Sequence, residues 1–168
     1  MKQDSNNCWE QLERLEKLIR ASELKAGIIF SFHSLILGLV ADRLGFFNQI
    51  FTDSILLIVL SILWICSVLI SVFFCFKCFR PRIELKYDPN VFFFKNAVNK
   101  FGDVKEYSKK LLEVCGNEEE LCTQLSQQIH VESKIIDQKF NSVNQSLKYF
   151  ALSIIFVILI LVLSLIKI

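Results

Sequence analysis

Cys75 and Cys78, spaced as C-x-x-C, are the residues of this 168-residue chain best suited to metal or thiol chemistry. A structural zinc site needs four ligands, and neither a second cysteine pair nor a neighbouring histidine completes the set. The positions of the six cysteines also do not indicate a disulfide framework. Two of them, Cys66 and Cys75, fall in or at the edge of an apolar run, and the others are expected in a reducing compartment. We therefore expect free thiols and no metal site.

Catalytic motifs are missing from the sequence. It contains no nucleophile elbow, phosphate-binding glycine loop, His-Glu metal motif or DNA-binding zinc pattern. Two histidines and five glycines leave little material for a conventional active site. The main polar segment, of about 70 residues, is also too short for the usual nucleotide-binding α/β domains. We expect no catalytic residues and no enzyme activity.

Basic residues follow the second of three apolar runs, residues 54–76, in a pattern suited to binding an anion. Nine basic and four acidic residues lie between Lys77 and Lys110, whereas six acidic residues and one lysine lie between Glu113 and Asp137. A basic segment beside a membrane helix commonly meets anionic headgroups, and a phosphate-bearing ligand is the alternative. Extended nucleic acid is not expected, because the basic residues are sparse and no nucleic-acid-binding module accompanies them.

Three apolar runs must position these residues. Residues 54–76 and 149–166 carry no charge over roughly the length that crosses a bilayer as a helix. Residues 26–42 form a shorter run that contains His33, but polar residues bracket it and the rest of the chain offers no large core to bury it. We predict an all-α integral membrane protein with three transmembrane helices.

The orientation follows from lysine and arginine, which resist translocation. Basic residues cluster before the first span and after the second, whereas the loop between these spans has only Arg43. No cleavable signal peptide is visible, so the first span is expected to act as the insertion signal. The prediction places residues 1–25 in the cytoplasm as an amphipathic helix, 43–53 outside, 77–148 in the cytoplasm as a helical region, and the C-terminus outside.

Helical periodicity divides the predicted cytoplasmic region. Apolar residues recur from Val104 to Val114 at helical spacing and predict a helix ending at Gly116. An acidic triplet starting at Glu118 suits the positive end of a second helix. Its apolar stripe enters the third span without Gly or Pro, which predicts one helix of about 50 residues. Such a rod either transmits motion to the membrane or simply packs as a stalk.

The segment after Pro89 is ambiguous. Asp88 before Pro89 resembles a helix N-cap and first helical position, which favours helix from Pro89 onward. The three aromatic residues from Phe92 to Phe94 favour a short extended segment equally well.

The N-terminal residues 1–25 place their apolar side chains, including Trp9 and Leu15, on one helical face. The polar face is balanced in charge and not strongly cationic. We therefore expect this helix to pack on the cytoplasmic helices and not on the membrane surface.

A seam of five small residues follows one face of the first span, at alternating steps of four and three. Its members are Gly27, Ser31, Ser34, Gly38 and Ala41. Such seams let membrane helices approach closely, either the second span of the same chain or another copy. His33 lies next to the seam and is expected to face protein or water. A hydrogen-bonded structural histidine is favoured over a pore or proton-relay role.

Seven short segments, in a fixed order relative to the spans, carry a resemblance to a known family. They are Trp9-Glu10-Gln11-Leu12-Glu13, Glu23-Leu24-Lys25-Ala26-Gly27, Arg80-Pro81-Arg82, Val91-Phe92-Phe93-Phe94, Glu106-Tyr107, Gln128-Ile129-His130-Val131-Glu132-Ser133-Lys134-Ile135 and Lys139-Phe140. In their order and placement they resemble the bacterial Pycsar transmembrane effector family, over almost the whole chain.

The resemblance implies a role in anti-phage defence. A partner pyrimidine cyclase would make cyclic CMP or cyclic UMP on infection, and the effector would damage the bacterial inner membrane and cause abortive infection. The implied partners are the lipid bilayer, further copies of the chain and the cyclase acting through its product, without nucleic acid. The sequence has no recognisable cyclic-nucleotide-binding domain, so a ligand would occupy a helical or intersubunit pocket.

Within this hypothesis, basic groups would hold the phosphate and an aromatic ring would stack on the base. The candidate ligand-binding residues are Arg80, Arg82, Lys95, Lys100, Tyr107 and Lys109. Two other functions remain open at this point: a pore that needs no nucleotide, and a small membrane scaffold that docks a protein partner.

Overall fold

The computed structural model describes residues 5–42, 55–80 and 89–166, and these residues contain five helices and no strand. The helices are α1 (Ser5–Asp42), α2 (Ile55–Phe79), α3 (Phe94–Asn99), α4 (Val104–Gly116) and α5 (Glu118–Ile166). The all-α prediction is confirmed. The predicted outer loop, residues 43–53, lies outside the described residues.

Three helices of the described ranges, α1, α2 and α5, are long and apolar enough to cross a membrane. This confirms the predicted number of candidate spans. The length rule selects them because each contains a stretch of about 20 residues with little charge. The cytoplasmic and outer ends stay predictions.

Two of these helices are longer than the spans within them. The predicted N-terminal helix and first span form one unbroken helix, α1, of 38 residues. The predicted long helix is also confirmed, because α5 runs for 49 residues without interruption. At 1.5 Å per residue, α5 is about 74 Å long.

Side-chain caps fix the helix boundaries that the sequence predicts between α4 and α5. Oδ1 of Asp103 accepts hydrogen bonds from the backbone N–H groups of Lys105 and Glu106 at the start of α4. Oδ1 of Asn117 does the same for Glu119 and Glu120 at the start of α5. Because these caps satisfy donors that a helix leaves unpaired, α4 and α5 begin where the sequence indicates.

A turn precedes α3 in the segment after Pro89, for which the sequence left helix and extended structure open. The described chain forms a turn after Asn90 and enters α3 only at Phe94. Oδ1 of Asn90 accepts from the Phe92 N–H at 2.8 Å, and the Asn90 carbonyl accepts from the Phe93 N–H at 3.2 Å. An asparagine that bonds its own following backbone favours a turn over a helix, and this local competition decides the conformation.

The chain divides into two compact units. We call residues 21–81 and 138–168 the span unit, and residues 1–20 and 82–137 the polar unit. Helices α1 and α5 contribute residues to both.

The span unit is apolar outside and partly polar inside. Large apolar side chains such as Leu69, Phe73 and Leu165 are exposed, which in water would favour aggregation and in a bilayer is expected. Its interior buries polar side chains as well as two apolar clusters. The buried polar side chains are Ser22, His33, Ser67, Ser71, Lys139, Ser142, Ser146, Ser153 and Ser164.

The polar unit has its own small core. Leu15 of α1 is buried, as are Val91, Val114 and Leu125. The ring of Trp9 meets the ring of Phe92 edge-on, with centroids 5.5 Å apart. These contacts confirm that the N-terminal part of α1 packs on the polar segment.

Candidate functional site

The three predicted ligand-binding lysines all lie in the polar unit. Lys95, Lys100 and Lys109 are exposed, and within the described ranges no carboxylate pairs with them. Three other cations of the same unit are already paired: Lys17 with Glu13, Arg20 with Glu16, and Lys110 with Glu113. The first three therefore remain available to an anion.

Tyr107, the predicted stacking aromatic, has a structural contact of its own. Its hydroxyl donates to the Val91 carbonyl at 3.3 Å, and its ring lies 6.0 Å from that of Phe101 at 54°. The side chain is half-buried. Tyr107 thus connects α4 to the turn before α3. Stacking on a base would use the part of the ring that the contact with Phe101 leaves open.

A buried asparagine positions the segment that carries Lys95. Nδ2 of Asn90 donates to the Gln124 carbonyl at 2.7 Å and to Oε1 of Gln127 at 3.1 Å. Oε1 of Gln124 in turn accepts from the Val91 N–H at 3.0 Å. Since Asn90 is fully enclosed and all these bonds go to α5, the turn before α3 is held firmly against that helix.

The two predicted arginines are placed differently from the lysines. Arg80 is exposed and lies at the end of α2, in the span unit. Arg82 falls outside the described residues. Lys95, Lys100, Tyr107 and Lys109 thus belong to one unit, and the ligand-binding role of all six residues stays a prediction.

The small-residue seam of α1 is open in the described part of the chain. Gly27 is partly exposed, and Ser31, Ser34, Gly38 and Ala41 are exposed. A Cβ added to Gly27 or Gly38 would meet no atom within 4 Å. The serine hydroxyls donate to backbone carbonyls one turn earlier, which leaves no unpaired donor on the seam. Of the two partners that the sequence left open for the seam, α2 does not contact it in the described ranges.

A shallow groove runs along this face of α1. It includes two residues of the seam, Gly27 and Ser31. The other lining residues are Glu23, Leu24, Ile28, Phe32 and Leu35. Grooves between rows of residues four apart are the surfaces into which a second helix packs.

His33 is buried against protein, as predicted, but without the expected hydrogen bond. The side chain is 1% exposed and its ring meets that of Phe150 edge-on at 5.0 Å. Neither ring nitrogen has a hydrogen-bond partner among the described residues.

Sequence reasoning missed the role of Lys139. Its ammonium donates to Oε1 of Glu23 at 2.8 Å and to the Cys78 carbonyl at 2.7 Å. These contacts join α5, α1 and α2 at the end of the second span. The available signal was a lysine placed between Ile136 and Val143 on the buried face of the α5 stripe.

Serines close the contact between α2 and α5. The Ser71 hydroxyl donates to the Ser146 carbonyl at 2.9 Å, and the Ser146 hydroxyl donates to the Ser71 carbonyl at 3.0 Å. Sγ of Cys75 lies 2.9 Å from Oγ of Ser146. Hydroxyl bonds between close helices are a common source of association in membranes.

Gln128 and Glu132 form a second group that sequence reasoning used only for the family resemblance. Nε2 of Gln128 donates to Oε1 of Glu132 at 2.7 Å, one helical turn away. Oε1 of Gln128 and Oε2 of Glu132 are enclosed and have no partner among the described residues. The i, i+4 spacing of the two residues was the visible signal.

No group of three His, Cys, Asp or Glu side chains that could hold a metal ion occurs within the described ranges. The C-x-x-C thiols instead lie within the span unit, with Cys75 against Ser146 and Cys78 near the Ser22 carbonyl at 3.8 Å. Both thiols thus have helix-packing contacts.

Comparison with known proteins identifies one family. The model of the PycTM family, described as the Pycsar effector protein domain, matches residues 7–166 of this chain. No curated protein and no solved structure matches it. The family match spans all five helices described above.

Proposed function

Because the chain belongs to the PycTM family of Pycsar effector proteins, which act in anti-phage defence, we propose that it is a membrane effector switched on by a cyclic pyrimidine nucleotide. The nucleotide would be cyclic CMP or cyclic UMP, made by a partner cyclase during infection. The effector would then impair the inner membrane and end the infection with the death of the cell. The observation that carries this proposal is the family match over a chain with three membrane-length helices.

The unpaired lysines of the polar unit support an anionic ligand. Lys95, Lys100 and Lys109 are exposed and unpaired within the described ranges, while Lys17 and Arg20 in the same unit carry their own carboxylate partners. A cyclic phosphate carries one negative charge and acceptor oxygens, which ammonium groups bind well. We place the phosphate of the nucleotide at these lysines.

Helix continuity supports a response in the membrane. Helix α5 carries Lys134 and Lys139 on the same unbroken rod, although the first belongs to the polar unit and the second to the span unit. A ligand shifts an equilibrium when it binds one arrangement more tightly than another. Binding in the polar unit can therefore bias the arrangement of helices in the span unit.

Self-association is the second part of the proposal. The seam of small residues on α1 is exposed, and its hydroxyls are satisfied by their own helix. A second copy of the same face would fill the groove over Gly27 and Ser31. We propose that active effectors assemble through this face, with the N-terminus in the cytoplasm and the C-terminus in the periplasm.

Reconstitution tests the proposal directly. The purified full-length protein would be placed in dye-loaded liposomes and exposed to cyclic CMP, cyclic UMP or, as a control, cyclic AMP. Release with a pyrimidine nucleotide alone is the expected result. Release in every condition would indicate a pore that needs no nucleotide, and no release from verified proteoliposomes would indicate a scaffold.

A further inference from the structure

An amide and a carboxylate on α5 leave two oxygens without donors inside the polar unit. Gln128 and Glu132 are one helical turn apart, and Nε2 of Gln128 donates to Oε1 of Glu132 at 2.7 Å. This bond fixes the orientation of the amide, because only its nitrogen can donate to a carboxylate. Oε1 of Gln128 and Oε2 of Glu132 are enclosed and have no partner in the described part of the chain.

Within the described ranges, no ion pair compensates the Glu132 carboxylate. Burial raises the pKa of Glu132; the bond from Gln128 partly offsets this, and the negative charge of Glu16 adds to the increase. Arg20 is bonded to Glu16 on an exposed face, and Lys17, next to Glu16 in sequence, is paired with Glu13. Buried acceptors without donors are rare in folded proteins, and those that persist commonly mark functional positions.

The chemistry of the pair defines its complement. Two acceptor oxygens match a ligand group that carries two N–H donors, such as an exocyclic amine. Carboxylates accept hydrogen bonds from the N4 amine of cytosine, and a glutamine oxygen can accept the second hydrogen. Uracil has a carbonyl oxygen at the same position, which a carboxylate would repel.

Resting on the proposed activation by a cyclic pyrimidine nucleotide, we propose that Gln128 and Glu132 recognise the exocyclic amine of cytosine. The effector then responds to cyclic CMP in preference to cyclic UMP. Gln128 orients the amine by accepting its second hydrogen, and Glu132 supplies the charged acceptor.

The enclosure of both oxygens connects recognition to activation. In the arrangement described here, neither oxygen is accessible to solvent, so the base reaches them only after neighbouring side chains move. The nucleotide satisfies these acceptors only in the opened arrangement. It therefore binds that arrangement more tightly and shifts the population toward it.

The test is calorimetric titration of the full-length protein in nanodiscs with cyclic CMP and cyclic UMP. The variant Glu132→Gln keeps the shape of the side chain and removes the charge, and Gln128→Met removes the amide. The chain also offers a matched control, Glu120→Gln. Glu120 accepts from Nε2 of Gln124 at 2.8 Å with the same spacing on the same helix, but it is exposed.

The expected result is that the wild type prefers cyclic CMP, that Glu132→Gln and Gln128→Met each weaken cyclic CMP binding at least tenfold, and that Glu120→Gln binds as the wild type does. Equal cyclic CMP affinity in the wild type and both variants would overturn the assignment and leave the proposed function intact. Wild-type protein that binds neither nucleotide would overturn both proposals. Circular dichroism of each variant confirms that helix content is retained.

Discussion

The ammonium of Lys139 lies 2.8 Å from a carboxylate oxygen of Glu23, and the Lys139 side chain is only 3% exposed. The same ammonium bonds the carbonyl of Cys78, near the C-terminal end of α2. Cations are favourable at helix C-termini, where carbonyl groups lack partners. One lysine therefore connects the three helices of the span unit.

Removal of Glu23 should destabilise the span unit more than removal of the lysine. Glu23→Ala leaves a buried ammonium with one neutral partner, whereas Lys139→Met replaces it with an apolar side chain of similar length. Since Glu23 is half-exposed, we expect a loss of about 2–3 kcal/mol, below the 3–5 kcal/mol typical of fully buried pairs. Lys139→Met should lose less than about 1.5 kcal/mol.

Thermal unfolding in detergent measures this difference. The control is Glu16→Ala, which breaks the exposed pair with Arg20 on the same helix and should cost less than about 1 kcal/mol. A Glu23→Ala protein as stable as the wild type would show that the buried contact does not hold the helices together.

Substitution of the seam should dissociate the assembly without unfolding the chain. The triple variant Gly27→Ile, Ser31→Ile and Gly38→Ile adds bulk to a face on which a Cβ at either glycine meets nothing. We therefore expect an unchanged melting temperature and a smaller particle by size-exclusion chromatography with light scattering.

The control for the seam carries isoleucines at two positions of α1 that do not line the groove. Leu37 and Leu39 are exposed apolar residues, and their conversion to Ile retains the bulk. This variant should assemble as the wild type does. An unaltered oligomer in the seam variant would remove the self-association argument.

Charge removal at the unpaired lysines should reduce the response to nucleotide. The variant Lys95→Gln, Lys100→Gln and Lys109→Gln is expected to raise the nucleotide concentration for half-maximal dye release about tenfold or more. One charge-assisted hydrogen bond contributes about 1.5–3 kcal/mol, and 1.4 kcal/mol is a factor of ten.

A matched variant separates this effect from a general loss of charge. Lys17→Gln, Arg20→Gln and Lys110→Gln removes three cations from the same unit that are already paired with carboxylates. It should respond nearly as the wild type does. Equal responses from both triple variants would place the phosphate elsewhere.

The pH dependence of stability should reveal Glu132. Burial raises the pKa of this carboxyl in the folded protein above its ordinary value of 4.5. The folded state therefore binds the proton more tightly than the unfolded state, so stability increases as the pH falls through the raised pKa toward 4.5.

Glu132→Gln removes this dependence. The variant should melt at a higher temperature than the wild type at pH 7.5, and the gap should close toward pH 5. Scanning calorimetry of both proteins at the two pH values checks this. The contributions of the other carboxylates cancel in the difference between the melting temperatures of the variant and the wild type. A gap that does not change with pH would mean that Glu132 does not titrate differently on folding.

Local signals predicted much of the helix layout. Gly116 and Asn117 interrupt the helical pattern, so the end of α4 and the start of α5 could be located from sequence. The three spans follow from length and apolarity. The turn at Asn90 could not be predicted, since its side chain competes with the helix only when α5 is present to receive its other bonds.

The candidate site was less predictable. The spacing of Gly27, Ser31 and Gly38 showed that these residues share one face of α1. It did not show whether that face packs on α2 or on another copy of the chain, because both kinds of packing use the same pattern of small residues. Lys139 and Glu23 are far apart in sequence, and no local rule joins them. Glu132 was visible only as part of a family segment, and its lack of a donor is a property of the packed unit.

Membrane potential in living cells tests the central claim most directly. Cells would express the protein at low level with an active pyrimidine cyclase, with a catalytically dead cyclase, or alone, and dye entry would be recorded with the potential. Collapse only with the active cyclase is the predicted result. Collapse in all three conditions, or none despite verified insertion and nucleotide production, would contradict a nucleotide-activated effector.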